Sequence, residues 1–288
     1  MKTTCHVNID EYTNRDIKGL EEIVKNHDHF HSEMYISDNL NFDKSLPWVF
    51  TKYEGKRLVG VMCLFVPTNK EIELMAITHP DFRRKGSFNE LEEMVLKTWR
   101  QHCIPSLLYV VNAQSSAGNA VVSKKGASYQ FTEYKMEWNG RQVFSKDKRL
   151  AIHPVDKSKT NILAEIQERS FGLSFADSMS FINTSIEKDN HHHFLCYLNG
   201  SPIGMGAFVV GRSISIYGVC ILPEFRGEGY GKGLMEHLLK EASTFKGKHI
   251  TLEVNSSNHR AYELYRKLGF IEVSATGYYR RKLFTKPV

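Results

Sequence analysis

Along the second half of the chain, apolar positions fall into short runs and spaced stripes that change period in a regular order. Residues 191–211, HHHFLCYLNGSPIGMGAFVVG, hold two apolar runs around Asn199-Gly200, a strong short signal for a hairpin. SISIYGVCIL predicts a third strand. Leu234, Met235, Leu238, Leu239, Ala242 and Phe245 recur at helical spacing and predict an amphipathic helix packed on a sheet. HITLEV predicts another strand, and Ala261, Leu264, Tyr265 and Leu268 form a helical stripe that Gly269 ends as a C-cap. Strand, loop, helix, strand, helix, strand is the signature of an α/β fold with a mixed sheet and a parallel pair at its centre. The first half follows the same order, with WVFTKYEGKRLVGVMCLFV around the weaker turn pair Glu54-Gly55 and EIELMAIT after it.

That shared order reflects a repeat. Residues 78–88 read THPDFRRKGSF and residues 221–231 read ILPEFRGEGYG. Pro80 falls on Pro223, Phe82 on Phe225, Arg83 on Arg226 and Gly86 on Gly229, every pair 143 positions apart. The spacing persists without a gap through Val111-Asn112 and Val254-Asn255, Lys124 and Lys267, and Gly126 and Gly269. Two domains are expected, 1–140 and 149–288, joined through the polar stretch NGRQVFSKDK, and 288 residues suit two domains at roughly 100–200 residues each.

Composition excludes disorder as the main theme, since hydrophobic residues make up 41% of the chain and charged residues 24%. No stretch approaches the roughly 20 apolar residues of a membrane span, and the N-terminus lacks an apolar signal core, so a cytoplasmic protein with no membrane partner is expected. Cys5, Cys63, Cys103, Cys196 and Cys220 are odd in number and widely spaced, which fits reduced thiols. His27-Asp28-His29-Phe30-His31 and His191-His192-His193 look like metal tracts, but no further ligand set completes either, and a structural or surface role is expected with no metal. The net charge of +6 is mild; its densest group is Arg280, Arg281 and Lys282, followed by Lys286.

Arg226-Gly227-Glu228-Gly229-Tyr230-Gly231 lies between a strand end and a helix start, where unpaired backbone N–H groups point the same way and glycines let an anion approach. A tight strand-to-helix turn would look similar. The P-loop spacing GxxxxGK[ST] is not met, and a dinucleotide fingerprint would open the first βαβ unit rather than follow an antiparallel meander. Glu253 shares a strand face with Thr251, opposite Ile250, Leu252 and Val254, and a carboxylate on an interior parallel strand is unusual.

Ile221-Leu222-Pro223 and Arg226-x-x-Gly229-x-Gly231 resemble the [QR]xxGx[GA] phosphate loop of the GNAT (Gcn5-related) N-acetyltransferases, and Asn255, Asn258, Ala261, Tyr262, Leu264, Tyr265, Lys267, Gly269 and Phe270 resemble that family's N..N..A..LY.K.GF helix. The resemblance spans about 150–285 and implies two tandem GNAT-like domains. It implies acetyl-CoA as donor, with its pyrophosphate on Arg226, Gly227, Glu228, Gly229, Tyr230, Gly231 and Lys232. Its pantetheine would lie along Ile221 and Leu222 and near Asn258 and Tyr262, for which helix capping and packing are the plain alternatives. It implies Glu253 as general base, as in ribosomal-protein N-terminal acetyltransferases with a similar LEV sequence, and Tyr265 as the acid that protonates the departing thiolate.

At the 143-residue spacing, Glu253 meets Val110, Tyr265 meets Val122, Gly231 meets Phe88, and Arg84-Lys85 replace Gly227-Glu228, so the first copy is expected to be noncatalytic with weak or no coenzyme binding. Phe171, Phe175, Met179 and Ile182 recur near helical spacing, as core or as an acceptor-pocket lining. The expected function is acetyl transfer to a primary amine, of a small molecule or a protein N-terminus, by direct attack in a ternary complex. The alternative is a noncatalytic acyl-CoA sensor or scaffold with a protein or RNA partner; otherwise nucleic acid is not expected.

Overall fold

The computed structural model describes residues 2–30, 34, 41–141 and 147–283, in two compact units: Met1–Glu133 with Ser274–Val288, and Tyr134–Val273. His31, Lys286 and positions 142–146 of the polar stretch lie outside the described residues. The domain limits expected at 140 and 149 follow chain order, whereas the compact units group residue 274 onward with the first unit.

The first unit runs β1 (Lys2–His6), α1 (Glu11–Asp28), β2 (Val49–Glu54), β3 (Arg57–Phe65), β4 (Ile72–Thr78), α2 (Ser87–Trp99), β5 (Ser106–Asn112) and α3 (Ser116–Lys124), then enters β6 (Ser128–Trp138). The second unit takes the end of β6 and continues through β7 (Leu150–Val155), α4 (Thr160–Phe171), α5 (Phe175–Asn183), β8 (His191–Leu198), β9 (Ser201–Val210), β10 (Ile214–Ile221), α6 (Tyr230–Ala242), β11 (Ile250–Asn255), α7 (His259–Lys267) and the start of β12 (Phe270–Lys282). Strand order is β1-β2-β3-β4-β5-β12 in the first unit and β6-β11-β10-β9-β8-β7 in the second, with β4 and β5, and β10 and β11, as the parallel pairs. The expected mixed α/β architecture, twice over, is the one observed.

Local sequence accounts for the turns. Asn199 and Gly200 both take positive φ, 49° and 80°, the backbone that closes a two-residue hairpin with the right twist. In the second unit, Leu234, Leu238 and Leu239 of α6 are buried against Phe208, Ile216 and Leu252. On the other face Leu163 and Ile166 of α4 and Ile182 of α5 pack on Leu195, Met205 and Cys220. The stripe Phe171, Phe175, Met179, Ile182 therefore divides: Ile182 is core and Met179 packs beside it, while Phe171 and Phe175 stay 49% and 38% exposed.

Residues 276–282 of β12 pair antiparallel with β5, and there the basic cluster is engaged. Arg280 donates to Glu71 at 2.9 Å and to Gln130 at 2.7 Å. Arg281 lies 3.2 Å from the buried Glu92 carboxylate, which also accepts from the Tyr109 hydroxyl and pairs with Lys125. A carboxylate taken out of water needs such partners. Both arginines are thus paired with carboxylates of the first unit.

Gly204 of β9 pairs with Ile221, and a Cβ there would lie 2.5 Å from the Cys220 carbonyl oxygen and 2.6 Å from the Ile221 side chain. Gly204→Ala should force β9 and β10 apart and destabilise the protein by about 1–3 kcal/mol, read as a drop in denaturation midpoint; an unchanged midpoint would contradict the close approach.

Candidate active site

The central parallel pair is short. β10 and β11 pair from Ile214 with Ile250 to Ile216 with Leu252, and there the ladder ends although β10 runs on to Ile221 and β11 to Asn255. The facing backbone groups beyond that point have no partner across the pair, which leaves an opening in the sheet. Against β9, β10 shifts register between Tyr217 and Cys220, a bulge at which Gly218 adopts φ 62°. The N–H of Leu222 donates to Ile203 of β9 at 2.8 Å, so the N–H of Ile221, one residue earlier, points to the opposite edge and into the opening.

The loop after β10 keeps the opening wide at one end. Gly227 and Gly229 take φ 95° and 86°, values that disfavour any side chain, and Gly229 caps α6 at its N-terminus. The Arg226 side chain is used locally, donating to the carbonyls of Ile221 at 2.8 Å and Ser170 at 3.2 Å. Gly231 is not dictated by packing, because a Cβ there would meet Leu264 and Ile221 only at 3.8 and 3.9 Å, ordinary contact distances. Glycine there leaves the backbone bare toward the opening. Glu228 is exposed, Tyr230 is buried, and Lys232 lies 3.6 Å from Glu236.

One cation at this loop has no local sequence signal. Arg149 donates to the carbonyl of Glu228 at 3.1 Å, stacks 4.7 Å over the Tyr230 ring and pairs with Asp147 at 2.8 Å. It lies next to the stretch read as a linker, and only tertiary folding brings it to the phosphate loop. The bare N–H groups, the two left-handed glycines and this guanidinium fit a pyrophosphate by charge and by the space a Cβ would fill.

On α7, Tyr265 is 9% exposed, and burial, with the Cys220 thiol adding to it, pushes its phenol up to about 12. Asn258 caps α7, accepting from the Ala261 N–H at 3.2 Å, and Tyr262 donates to Glu272 and packs its ring 5.5 Å from Tyr134. Leu222 is buried. Glu253 is exposed, on the strand face opposite Ile250, Leu252 and Val254, which are buried in the core.

Across the sheet on that same face lies a row that sequence reasoning did not assemble. His193 of β8 is opposite Ala207 of β9, Ala207 is opposite Tyr217 of β10, and the step after Ile216 and Leu252 brings Tyr217 level with Glu253. The histidine tract, read as structural or surface, thus supplies His191 and His193 to the Tyr217 hydroxyl, at 2.8 and 3.4 Å. The first copy has no such row. Gly60, opposite Thr78, matches Gly204, opposite Ile221; counted from there, Val49, Cys63, Met75 and Val110 stand in place of His193, Ala207, Tyr217 and Glu253. Its β3–β4 pairing runs without a bulge. Its loop keeps the left-handed backbone, Arg84 at φ 60° and Gly86 at 85°, but Arg83 is bound by Asp28 at 2.7 and 2.8 Å. A cleft of about 130 Å³, with Phe88 in its lining, occupies the equivalent opening.

Residues 160–270 match the family model described as Acetyltransferase (GNAT) family. The [ribosomal protein bS18]-alanine N-acetyltransferase of Escherichia coli K12 is 30% identical over 113 residues, 38% of this chain and 72% of that protein. Its counterpart from Salmonella typhimurium is 34% identical over 74 residues, 24% of this chain and 50% of that protein. Among solved structures, a GCN5-related N-acetyltransferase from Sphaerobacter thermophilus superposes with TM-score 0.80 at 14% identity, covering 98% of this chain and 96% of that one. A tandem GNAT protein from the clavulanic acid biosynthesis pathway gives 0.71 at 13% identity and covers 99% of both chains. The chain belongs to the GNAT family and is an N-acetyltransferase with a tandem GNAT fold. Among the described residues, no helix is long and apolar enough to cross a membrane.

Arg149→Ala should raise the Kd for coenzyme A about three- to tenfold and flatten its dependence on salt, measured by calorimetry. An unchanged Kd would remove Arg149 from the anion site. A second expectation concerns stability. Burial lowers His193 to about 4, so between about 4 and the ordinary 6.5 the unfolded chain binds the extra proton and stability rises with pH. The Tm should fall as pH is lowered across that window, and His193→Gln should lessen the fall.

Proposed function

We infer that the second unit transfers acetyl from acetyl-CoA to a primary amine by direct attack in a ternary complex, and that the first unit is noncatalytic. The observation that carries this reading is the opening between β10 and β11, with bare loop amides and Arg149 at one end and Tyr217 and Glu253 at the other. Acetyl-CoA supplies the activated thioester. Backbone N–H groups of residues 227–231 hold its pyrophosphate, and the edge of β10 from Gly218 to Ile221 lies along its pantetheine, with the Leu222 side chain beside it. The Ile221 N–H polarises the acyl carbonyl.

An amine arrives protonated, with a pKa near ~10, and must lose a proton to attack. Glu253 is the carboxylate placed to take it, since it is solvent-accessible and sits where the parallel ladder ends. Tyr265, whose phenol stays protonated far above neutral pH, gives its proton to the departing thiolate. Asn258 holds the start of α7, and Tyr262 flanks the channel.

For the acceptor we favour a protein N-terminus. The bS18-alanine acetyltransferases among the relatives act on such an amine, and the exposed rings of Phe171 and Phe175, between α4 and α5, offer apolar surface to a peptide. Acetyl-CoA and nascent or ribosomal N-termini would meet in the cytoplasm. In the first unit, Val110 and Val122 stand where base and acid would be, and the carboxylate of Asp28 lies against Arg83 at the start of the loop.

Titration with acetyl-CoA should give about one site per chain, lost in Gly229→Val. Glu253→Gln and Tyr265→Phe should each lower kcat, by about 10²-fold for the base, with Kd for coenzyme A nearly unchanged. Two equal sites would overturn the asymmetry between copies, and full activity in both variants would overturn the assigned chemistry.

A further inference from the structure

Resting on the acetyl-transfer reading above, we propose that Tyr217 takes a proton from the acceptor nitrogen at its hydroxyl oxygen while its own proton passes to His191, making the pair the route by which the site discharges acid to solvent.

The hydrogen bonds orient this route. The Ser185 hydroxyl donates to the Ile182 carbonyl at 3.1 Å, so the same oxygen accepts from His193 Nε2 at 3.2 Å. His193 Nδ1 is buried with no partner, and a buried orphan N–H is rarer than an orphan lone pair, which assigns the proton to Nε2. That N–H also faces the Tyr217 oxygen at 3.4 Å. Tyr217 therefore donates to His191 Nδ1 at 2.8 Å, which leaves the ring proton of His191 on Nε2, in a side chain that is half-buried. Ala207, fully buried between the strands that carry His193 and Tyr217, is small enough for the two side chains to meet above it.

Two protons must leave the nitrogen, and a second acceptor lets the second depart while Glu253 still holds the first. An alkylammonium loses two protons as its nitrogen bonds to the acyl carbon and the carbon–sulfur bond breaks. Tyr265 gives the thiolate one proton and is recharged from solvent, so each turnover releases one net proton. Glu253 takes the first proton from the ammonium, before attack. Tyr217, level with Glu253 at the end of the ladder and one residue before the bulge, takes the second from the tetrahedral adduct, and His191 releases it. His193 and Ser185 are positioning residues. Burial lowers the pKa of His191, with Lys188 and His192 acting in the same direction, so the imidazole is neutral and able to accept at pH 7. His193 on β8 is the other titratable group in contact with the Tyr217 hydroxyl among the described residues, and Glu253 on β11 is level with Tyr217 by strand register. The first copy, with Val49, Met75 and Val110 in this row, has lost base and relay together.

The test is steady-state transfer from acetyl-CoA to an alanine-initiated peptide, with calorimetric coenzyme A binding as the control for folding. Tyr217→Phe should lower kcat at least tenfold with KM for acetyl-CoA unchanged. In the wild type, kcat should fall on acidification as both Glu253 and His191 take up protons, and His191→Gln should reduce the steepness of that acid limb to that of Glu253 alone. Equal kcat in Tyr217→Phe, or an acid limb of unchanged position and steepness in His191→Gln, overturns the relay and leaves acetyl transfer standing. A wild type that binds coenzyme A but acetylates no peptide overturns both.

Discussion

A parallel strand pair that stops pairing after three residues is the constraint on which the rest of the second unit depends. Strands of a sheet ordinarily satisfy each other's amides, and unpaired groups inside a protein are costly. β10 and β11 tolerate the opening because each has another neighbour: β10 is held along its length by β9, and β11 by β6. The bulge at Gly218 and the close approach at Gly204 keep β10 attached to β9 while freeing its other edge. The opening is therefore a stable hydrogen-bonding vacancy shaped like an extended chain, which the amide-rich pantetheine of the proposed donor would satisfy.

The two copies show which parts of that device are separable. Both retain the short parallel pair, with β4 and β5 joined only from Ile72 to Leu74. Both retain left-handed backbone at the same two loop positions, even where Arg84 makes that conformation unfavourable for an L side chain. What differs is the bulge, the bare Gly231 position, and the polar row from His193 to Glu253. Backbone geometry thus persists through duplication because the fold requires it, whereas the polar side chains of that row do not, since apolar residues fill their sites and bury well.

This division also sets what could be read from the sequence. The hairpins, helices, repeat and loop were legible because each rests on local rules: Asn-Gly turns, helical stripes, glycines at positive φ. The face of Glu253 followed from strand alternation. Arg149 was not legible, because it reaches the loop from the turn before β7. The histidine tract was visible, but its partners were not, since they depend on strand register: only the pairing of β8 with β9 and of β9 with β10 brings His193 beside Tyr217. Arg280 and Arg281 likewise suggested an open basic surface until Glu71 and Glu92 were placed against them.

Burial explains why the reactive groups fall in this order across the site. Tyr265, nearly enclosed, keeps its proton and suits donation to a leaving group. Tyr217 is also pushed up by burial, to about 12, so it cannot hold a negative charge and gains a proton only by surrendering one at the same time. A neutral, half-buried imidazole makes that exchange feasible, while the buried His193 fixes the phenol's orientation without competing as a base. In the proposed relay, this gradient from an enclosed donor through a buried conduit to a half-buried acceptor would give proton flow a direction, outward from the amine, using the same desolvation that shapes each group's affinity for its proton.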